Sequence, residues 1–252
     1  MKASYLHVMN NDVENVLIKN RSAFHQVVNF NPATEKLFQF DFTSSNKDLS
    51  SADIADTQKF SQYVDRKLES SQAKFGIGGY NENRTLYKRS NLFESKGSKA
   101  STFGEGFEGA TSSRSIHLGI DIWGPVGTEV FVPVGGMVHS FAFNNHFGDY
   151  GATIILQHQL DTIVFHTLYG HVSLVDISRL HAGQYISRGE RIAHFGKPEE
   201  NGWWPPHLHF QIIGDMNLKE GDYPGVCTPA ESEKYLQNCP NPDFILNMMQ
   251  YV

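Results

Sequence analysis

Ile116-His117-Leu118-Gly119-Ile120-Asp121-Ile122 alternates aliphatic side chains with a histidine, a glycine and an aspartate. Apolar residues at every second position mark a strand with one face on a core, because successive side chains leave a strand on opposite sides. His117 and Asp121 then project together from the other face. Gly119 between them carries no side chain, which leaves that face open to close approach by a metal or a substrate. Taken alone, a His and an Asp four apart usually mark no more than a solvated strand face.

The same period recurs downstream. Strands are expected over 129–134, 138–143, 153–157, 162–168, 191–195 and 207–213. Gly124-Pro125-Val126-Gly127, Gly135-Gly136 and His181-Ala182-Gly183 supply turns between them. Strands this short and this closely spaced predict antiparallel pairing. Two short helices are expected after them, over 230–237 and 243–251, around the break at Cys239-Pro240-Asn241-Pro242.

Upstream the patterns are mixed. Residues 11–28 suit one or two short helices, and Phe38, Phe40 and Phe42 alternate with polar residues as in a half-buried strand. Ser50-Ser51-Ala52-Asp53 resembles a capping box opening a helix that carries Ile54, Phe60, Val64 and Leu68 near one face. From Gly76 to Ser113 glycine, serine and polar residues dominate, which reads as loop or linker. The expected fold is mainly β, α+β overall. An antiparallel β-sheet core would be preceded by a mixed helix/strand segment and followed by short helices. The expected organisation is a mixed segment over 1–85 that is a candidate regulator, a linker over 86–113, and a core domain over 114–252 with a helical tail.

Composition narrows the classes. A chain of 252 residues with 40% hydrophobic and 19% charged content is that of a globular protein with one sizeable core. A net charge of −6 argues against a nucleic-acid binder, which presents a basic face. No run approaches the roughly 18 apolar residues of a membrane helix. The first twelve residues lack the apolar run of about 7–15 residues found in a secretory signal, so a cytoplasmic location is expected. A chain trimmed at its start would look the same and could be extracytoplasmic. Cys227 and Cys239 are the only cysteines, and their spacing suits free thiols as well as a disulfide.

Ten of the 12 histidines fall between residues 117 and 209, which places the chemistry in the second half of the chain. In His207-Leu208-His209-Phe210-Gln211-Ile212-Ile213 the two imidazoles, two apart, share one face of a strand. The preceding Trp203-Trp204-Pro205-Pro206 stiffens the entry to that strand, and its tryptophans suit either a groove wall or the core. Leu168-Tyr169-Gly170-His171 ends another strand, where a histidine can reach over a cleft. Together these pieces supply what a catalytic zinc needs: about three nitrogen and oxygen donors with one position open. Such an ion polarises a carbonyl and acidifies water. The left-over histidines can then move protons. Residue chemistry leaves open which member of the last pair is a ligand.

The ordered set of His-x-x-x-Asp, Tyr-Gly-His and His-x-His resembles the lysostaphin/LytM-type zinc metallopeptidases. Gly124 to Val138 and Ser187 to Gly196 are similar to that family's intervening segments, so the likeness spans about 114–214. It implies an antiparallel β metallopeptidase core. It also implies one zinc per chain on His117, Asp121 and His209, with His171 and His207 catalytic. The implied activity is hydrolysis of peptide bonds, with cross-link peptides of peptidoglycan as the substrate class. Residues 78–84 and 221–225 look like flanks of a branch whose peptidase domain is joined to aminotransferase-type enzymes, for which an intracellular small-peptide or amide substrate fits.

Trp203, Trp204 and Tyr169 are the candidate walls of a substrate groove. Asn81 is a candidate inhibitory plug, and deleting residues 1–85 is then expected to raise activity. His166 is a candidate orienting partner of the site; His139, His146, His158, His181 and His194 read as ordinary strand or loop residues. The chain has neither His-Glu-x-x-His nor Gly-x-Ser-x-Gly, which disfavours thermolysin-type and serine hydrolases. The rival reading is a non-catalytic module that binds a peptide or a partner protein on the same fold, with zinc closed off by four protein ligands or absent.

Overall fold

The computed structural model describes residues 12–94 and 113–252. A helix over 12–20 (α1) buries Val13, Val16 and Leu17. Strand β1 (Leu37–Phe40) follows, then α2 (Ser51–Ala55) and α3 (Thr57–Ser71). The capping box at Ser50 is present, its side chain and that of Asp53 each accepting from the other's backbone N–H. Asp56 caps α3 in the same manner, accepting from the N–H groups of Gln58 and Lys59. Phe60, Tyr63, Val64 and Leu68 fall on one face of α3 and are buried.

Phe75–Gly78 forms strand β2, where a loop was expected. Its glycines answer to crowding rather than to turning. A Cβ on Gly76 would stand 2.1 Å from the Phe40 ring, and one on Gly78 would stand 2.7 Å from the Arg84 guanidinium. The remaining strands are β3 (Ile116–His117), β4 (Ile120–Trp123), β5 (Glu129–Phe131), β6 (Gly136–Asn144), β7 (Gly151–Leu160) and β8 (Ile163–Val172). After α4 (Leu174–Ile177) come β9 (Tyr185–Ile186), β10 (Arg191–His194), β11 (His207–Ile213) and β12 (Val226–Cys227), then α5 (Ser232–Leu236) and α6 (Asp243–Leu246).

Eight strands make one sheet in the order β1-β2-β4-β11-β8-β7-β6-β9. Every neighbouring pair is antiparallel except β1 and β2, which run parallel. The fold is thus α+β and dominated by antiparallel strands. The boundary expected after residue 85 has no structural counterpart. β2 pairs directly with β4, Gly78 opposite Asp121, so the first segment extends the sheet that carries the site. Nor is the described part of 86–113 an extended linker, since Leu86, Tyr87 and Phe93 are buried in short 3-10 turns.

The alternation read along 116–122 and 207–213 decides which side chains meet. Ile120, Ile122, Leu208, Phe210 and Ile212 enter the main core on one side of the sheet. Asp121, Trp123, His207, His209 and Gln211 therefore face the other side. There Trp123 joins Phe40, Phe42, Phe60 and Trp204 in an aromatic cluster under α3. Burying such rings contributes roughly 1.5–3 kcal/mol each, which pins α3 over one end of the site. No helix among the described residues is long and apolar enough to cross a membrane.

Candidate metal centre

His117 ends β3, Asp121 lies in β4 and His209 lies in β11, directly opposite Asp121 across the ladder. The register alone brings the last two together. The strand expected over 116–122 divides at Leu118-Gly119: β3 pairs with β12 while β4 pairs with β2 and β11. Gly119 allows the approach: a Cβ there would stand 2.5 Å from the His209 ring.

The three donor atoms form a small triangle. His117 Nε2 is 2.9 Å from His209 Nδ1, His209 Nδ1 is 3.0 Å from Asp121 Oδ1, and His117 Nε2 is 3.2 Å from Asp121 Oδ1. All three residues are buried. The far sides of both rings fix their tautomers. His117 Nδ1–H donates to the Gly79 carbonyl at 3.1 Å, which leaves the lone pair on Nε2. His209 Nε2–H donates to Gln211 Oε1 at 2.9 Å, which leaves the lone pair on Nδ1. The Gln211 amide nitrogen in turn donates to the Pro224 carbonyl and to Cys239 Sγ, so its oxygen is turned to the ring.

Two imidazole lone pairs and a carboxylate oxygen thus converge with no proton between them. Three acceptors at this separation repel unless a cation sits among them. A tetrahedral zinc with bonds of about 2.0–2.1 Å spaces its donors by about 3.3 Å, close to the edges here. Burial, and then the nearby Arg84 charge, push His117 down to about 4, so it is neutral and able to donate its lone pair near neutrality. Burial works to raise the Asp121 carboxyl, but His117 and Arg84 outweigh it and hold the group well below the usual carboxylate range.

His171 and His207 stand beside this triangle. Their ring centroids are 4.0 Å apart, and that of His171 is 6.3 Å from that of His209. His207 stacks on Trp123 at 3.9 Å. Each donates Nδ1–H to a backbone carbonyl at 2.8 Å, His171 to Asn201 and His207 to Pro205, which leaves each Nε2 an acceptor. Burial, reinforced by His207, holds His171 well below its ordinary pKa, and burial pushes His207 down to about 4.

A cavity of about 130 Å³ opens onto all five residues. Its other walls include Tyr87, Phe93, Tyr150, Trp204 and Asp222. Only one of the three expected groove walls is among them. Trp204 lines the cavity, packed against Phe60, Tyr87 and the Arg89 guanidinium. Trp203 has φ +68°, is 42% exposed and lies outside the cavity lining, its carbonyl accepting from Thr57 and Arg89. Tyr169 is fully buried in the core against Phe210. It parts from His171 because His171 has φ +63° and the β7–β8 register shifts beside it, which breaks the two-residue alternation.

Asn81 is not a plug. It is exposed, lies outside the cavity lining and uses its backbone N–H to donate to the His117 carbonyl. His166 sits opposite Ile213, whereas His209 sits opposite Gly170, so it is a strand-length from the donors and orients none of them. Cys227 and Cys239 are free and buried. Three residues at the site carry no motif. Tyr150 brings its hydroxyl to 3.4 Å from His209 Nε2. Gln211 was visible only as the third polar residue of its strand face. Arg84 donates through Nη1 to Asp121 Oδ2, an ion pair that spacing could not reveal.

Residues 115–220 match the model of peptidase family M23. The matched segment carries all five site residues. Among solved structures, a zinc-containing peptidase from Vibrio cholerae is similar at 25% identity over 45% of this chain and 32% of its own, with a TM-score of 0.32. This chain thus spans about a third of that protein's length. The catalytic domain of lysostaphin from Staphylococcus simulans matches at 21% identity over 52% of this chain and 86% of its own (TM-score 0.33). The catalytic domain of the prophage-encoded M23 protein EnpA from Enterococcus faecalis matches at 20% over 55% and 96% (TM-score 0.34). No curated protein matches the chain.

Proposed function

We propose that this protein is a zinc metallopeptidase that hydrolyses peptide bonds, with His117, Asp121 and His209 holding one zinc and His171 and His207 handling protons. The convergence of three acceptor atoms within 3.2 Å, with both imidazole tautomers fixed from behind, carries the reading. Zinc held there would supply a Lewis acid for the scissile carbonyl and acidity to a water. His171 and His207, each tied at Nδ1 and neutral, offer Nε2 to take a proton from the attacking water and return it to the leaving amine. Among the described residues the cluster holds three donors, which leaves a corner open as catalysis needs and a structural site does not.

Cross-link peptides of peptidoglycan are the proposed substrate class, on the strength of the family. A second reading rests on the cavity, which is small and whose walls include Tyr87, Phe93 and residues 222–226. Such walls favour a short peptide or small amide over a polymer strand. Zinc-loaded protein incubated with purified peptidoglycan and with short Ala- and Gly-containing peptides separates the two. Cleavage of neither, by protein shown to carry one zinc, would sink the peptidase reading.

A further inference from the structure

Asp121 offers two oxygens, and the fold assigns them different partners. Oδ1 faces His117 Nε2 and His209 Nδ1 at 3.2 and 3.0 Å, while Oδ2 accepts from Arg84 Nη1. Arg84 is itself anchored. Its Nε donates to Glu82 Oε2 at 2.6 Å, and its side chain is 1% exposed, with the guanidinium over the Phe42 ring. Glu82 is held in turn, its other oxygen accepting from the Phe42 N–H.

The backbone around these side chains is laced to the site. Residues 81–84 run antiparallel to 115–117: Asn81 N–H donates to the His117 carbonyl, His117 N–H to the Glu82 carbonyl, and Arg84 N–H to the Ser115 carbonyl. The Gly79 carbonyl holds His117 Nδ1. One strap from the first third of the chain thus touches two of the three donor residues from behind. The M23 match begins at residue 115, outside this strap.

We propose that Arg84 is a positioning residue of the metal centre, holding Asp121 by Oδ2 so that Oδ1 alone is presented to the ion. A free carboxylate rotates and can bind through both oxygens, filling the corner needed for chemistry. A buried guanidinium fork with its second arm on Glu82 prevents that rotation. The inference rests on the metal-centre reading above.

The test titrates zinc and cobalt(II) into metal-free wild type, Arg84→Met, Arg84→Lys and the double variant Glu82→Gln/Arg84→Met, with circular dichroism to verify the fold. The double variant removes both charges, so no lone carboxylate at Glu82 is left buried to unfold the chain. Wild type should bind one ion. Both Met-containing variants should bind zinc about 10–100-fold more weakly. Their cobalt absorption should also weaken, as expected when a second carboxylate oxygen raises the coordination number. Arg84→Lys, which keeps the charge and loses the fork, should fall between. A purely structural Arg84 would lower melting temperature without altering the cobalt spectrum. Wild-type affinity and spectrum in a folded Met variant would overturn the inference and leave the metal centre standing. Wild type that binds no ion would overturn both.

Discussion

The imidazoles of His171 and His207 lie 4.0 Å apart, centroid to centroid, each tied through Nδ1 to a backbone carbonyl. They come from opposite constructions. His207 follows the regular face of β11, whereas His171 reaches the same place through a left-handed backbone at φ +63°. Both rings are held neutral by burial, so each is ready to accept a proton and neither competes as a cation with a bound metal.

His171→Ala should therefore keep one zinc per chain and lose turnover by about 10²–10⁴-fold, the span of general acid–base catalysis. Metal analysis paired with peptide cleavage checks it. Turnover near wild type with zinc retained would remove His171 from the mechanism.

Gly119 offers a way to disturb a donor without deleting it. A Cβ at this position would meet the His209 ring at 2.5 Å and the Phe210 carbonyl at 2.8 Å. Gly119→Ala should push His209 out of the triangle and weaken zinc binding at least tenfold, about 1.4 kcal/mol. His209→Ala should abolish stoichiometric binding. Competition against a chelator measures both; unaltered zinc affinity in Gly119→Ala would show that His209 is not a donor.

Much of this centre is legible in the sequence because strand alternation has a fixed period. Once Ile120 and Leu208 are assigned to the core, Asp121, His207 and His209 must share the other face, and the β4–β11 register needs only to align them. The Tyr169–His171 pair shows the limit. Two residues apart on one strand, they should share a face, yet one is core and the other site, because a positive φ at a histidine leaves no compositional mark. Gly76 and Gly78 mislead for a related reason: glycine demanded by a neighbour's ring looks the same as glycine demanded by a turn. Arg84 is silent because its partner lies 37 residues away, and no local period links them.

The core position of Tyr169 makes a sharp contrast with a groove wall. Tyr169→Phe should leave KM and kcat within about twofold, since among the described residues its hydroxyl bonds only with Thr167, at 3.1 Å. Tyr169→Ala should cost about 3–5 kcal/mol of stability through the cavity it leaves. Steady-state kinetics and denaturant unfolding read these separately. A several-fold rise in KM for the Phe variant would return Tyr169 to the groove.

Buried neutral histidines also set a pH dependence for the metal-free protein. His117, His158 and His207 are each pushed by burial from 6.5 to about 4. The unfolded chain therefore binds more protons than the folded one between these values, and stability falls as pH drops from about 6.5 to about 4. His158, held by Thr167 and the Gly135 carbonyl away from the metal centre, isolates the effect. Thermal unfolding at pH 7, 6, 5 and 4 should show a steady loss, shallower in His158→Gln. A melting temperature flat across this range would contradict the assigned protonation states.

The role of the first segment can be settled by separating its side chain at 81 from its backbone. Asn81 has φ +58°, a conformation glycine adopts freely, so Asn81→Gly removes the side chain without disturbing the strap. Because that side chain is exposed and clear of the cavity, activity should stay within about twofold; a tenfold rise would restore it as an inhibitory plug. Deleting residues 1–85 is a different perturbation. It removes the Gly79 carbonyl behind His117, the Arg84 guanidinium behind Asp121 and the strand paired with β4. Activity should fall rather than rise, and zinc retention should fall with it. A truncated protein that holds one zinc and cleaves faster than the full chain would show that the segment restrains the site instead of building it.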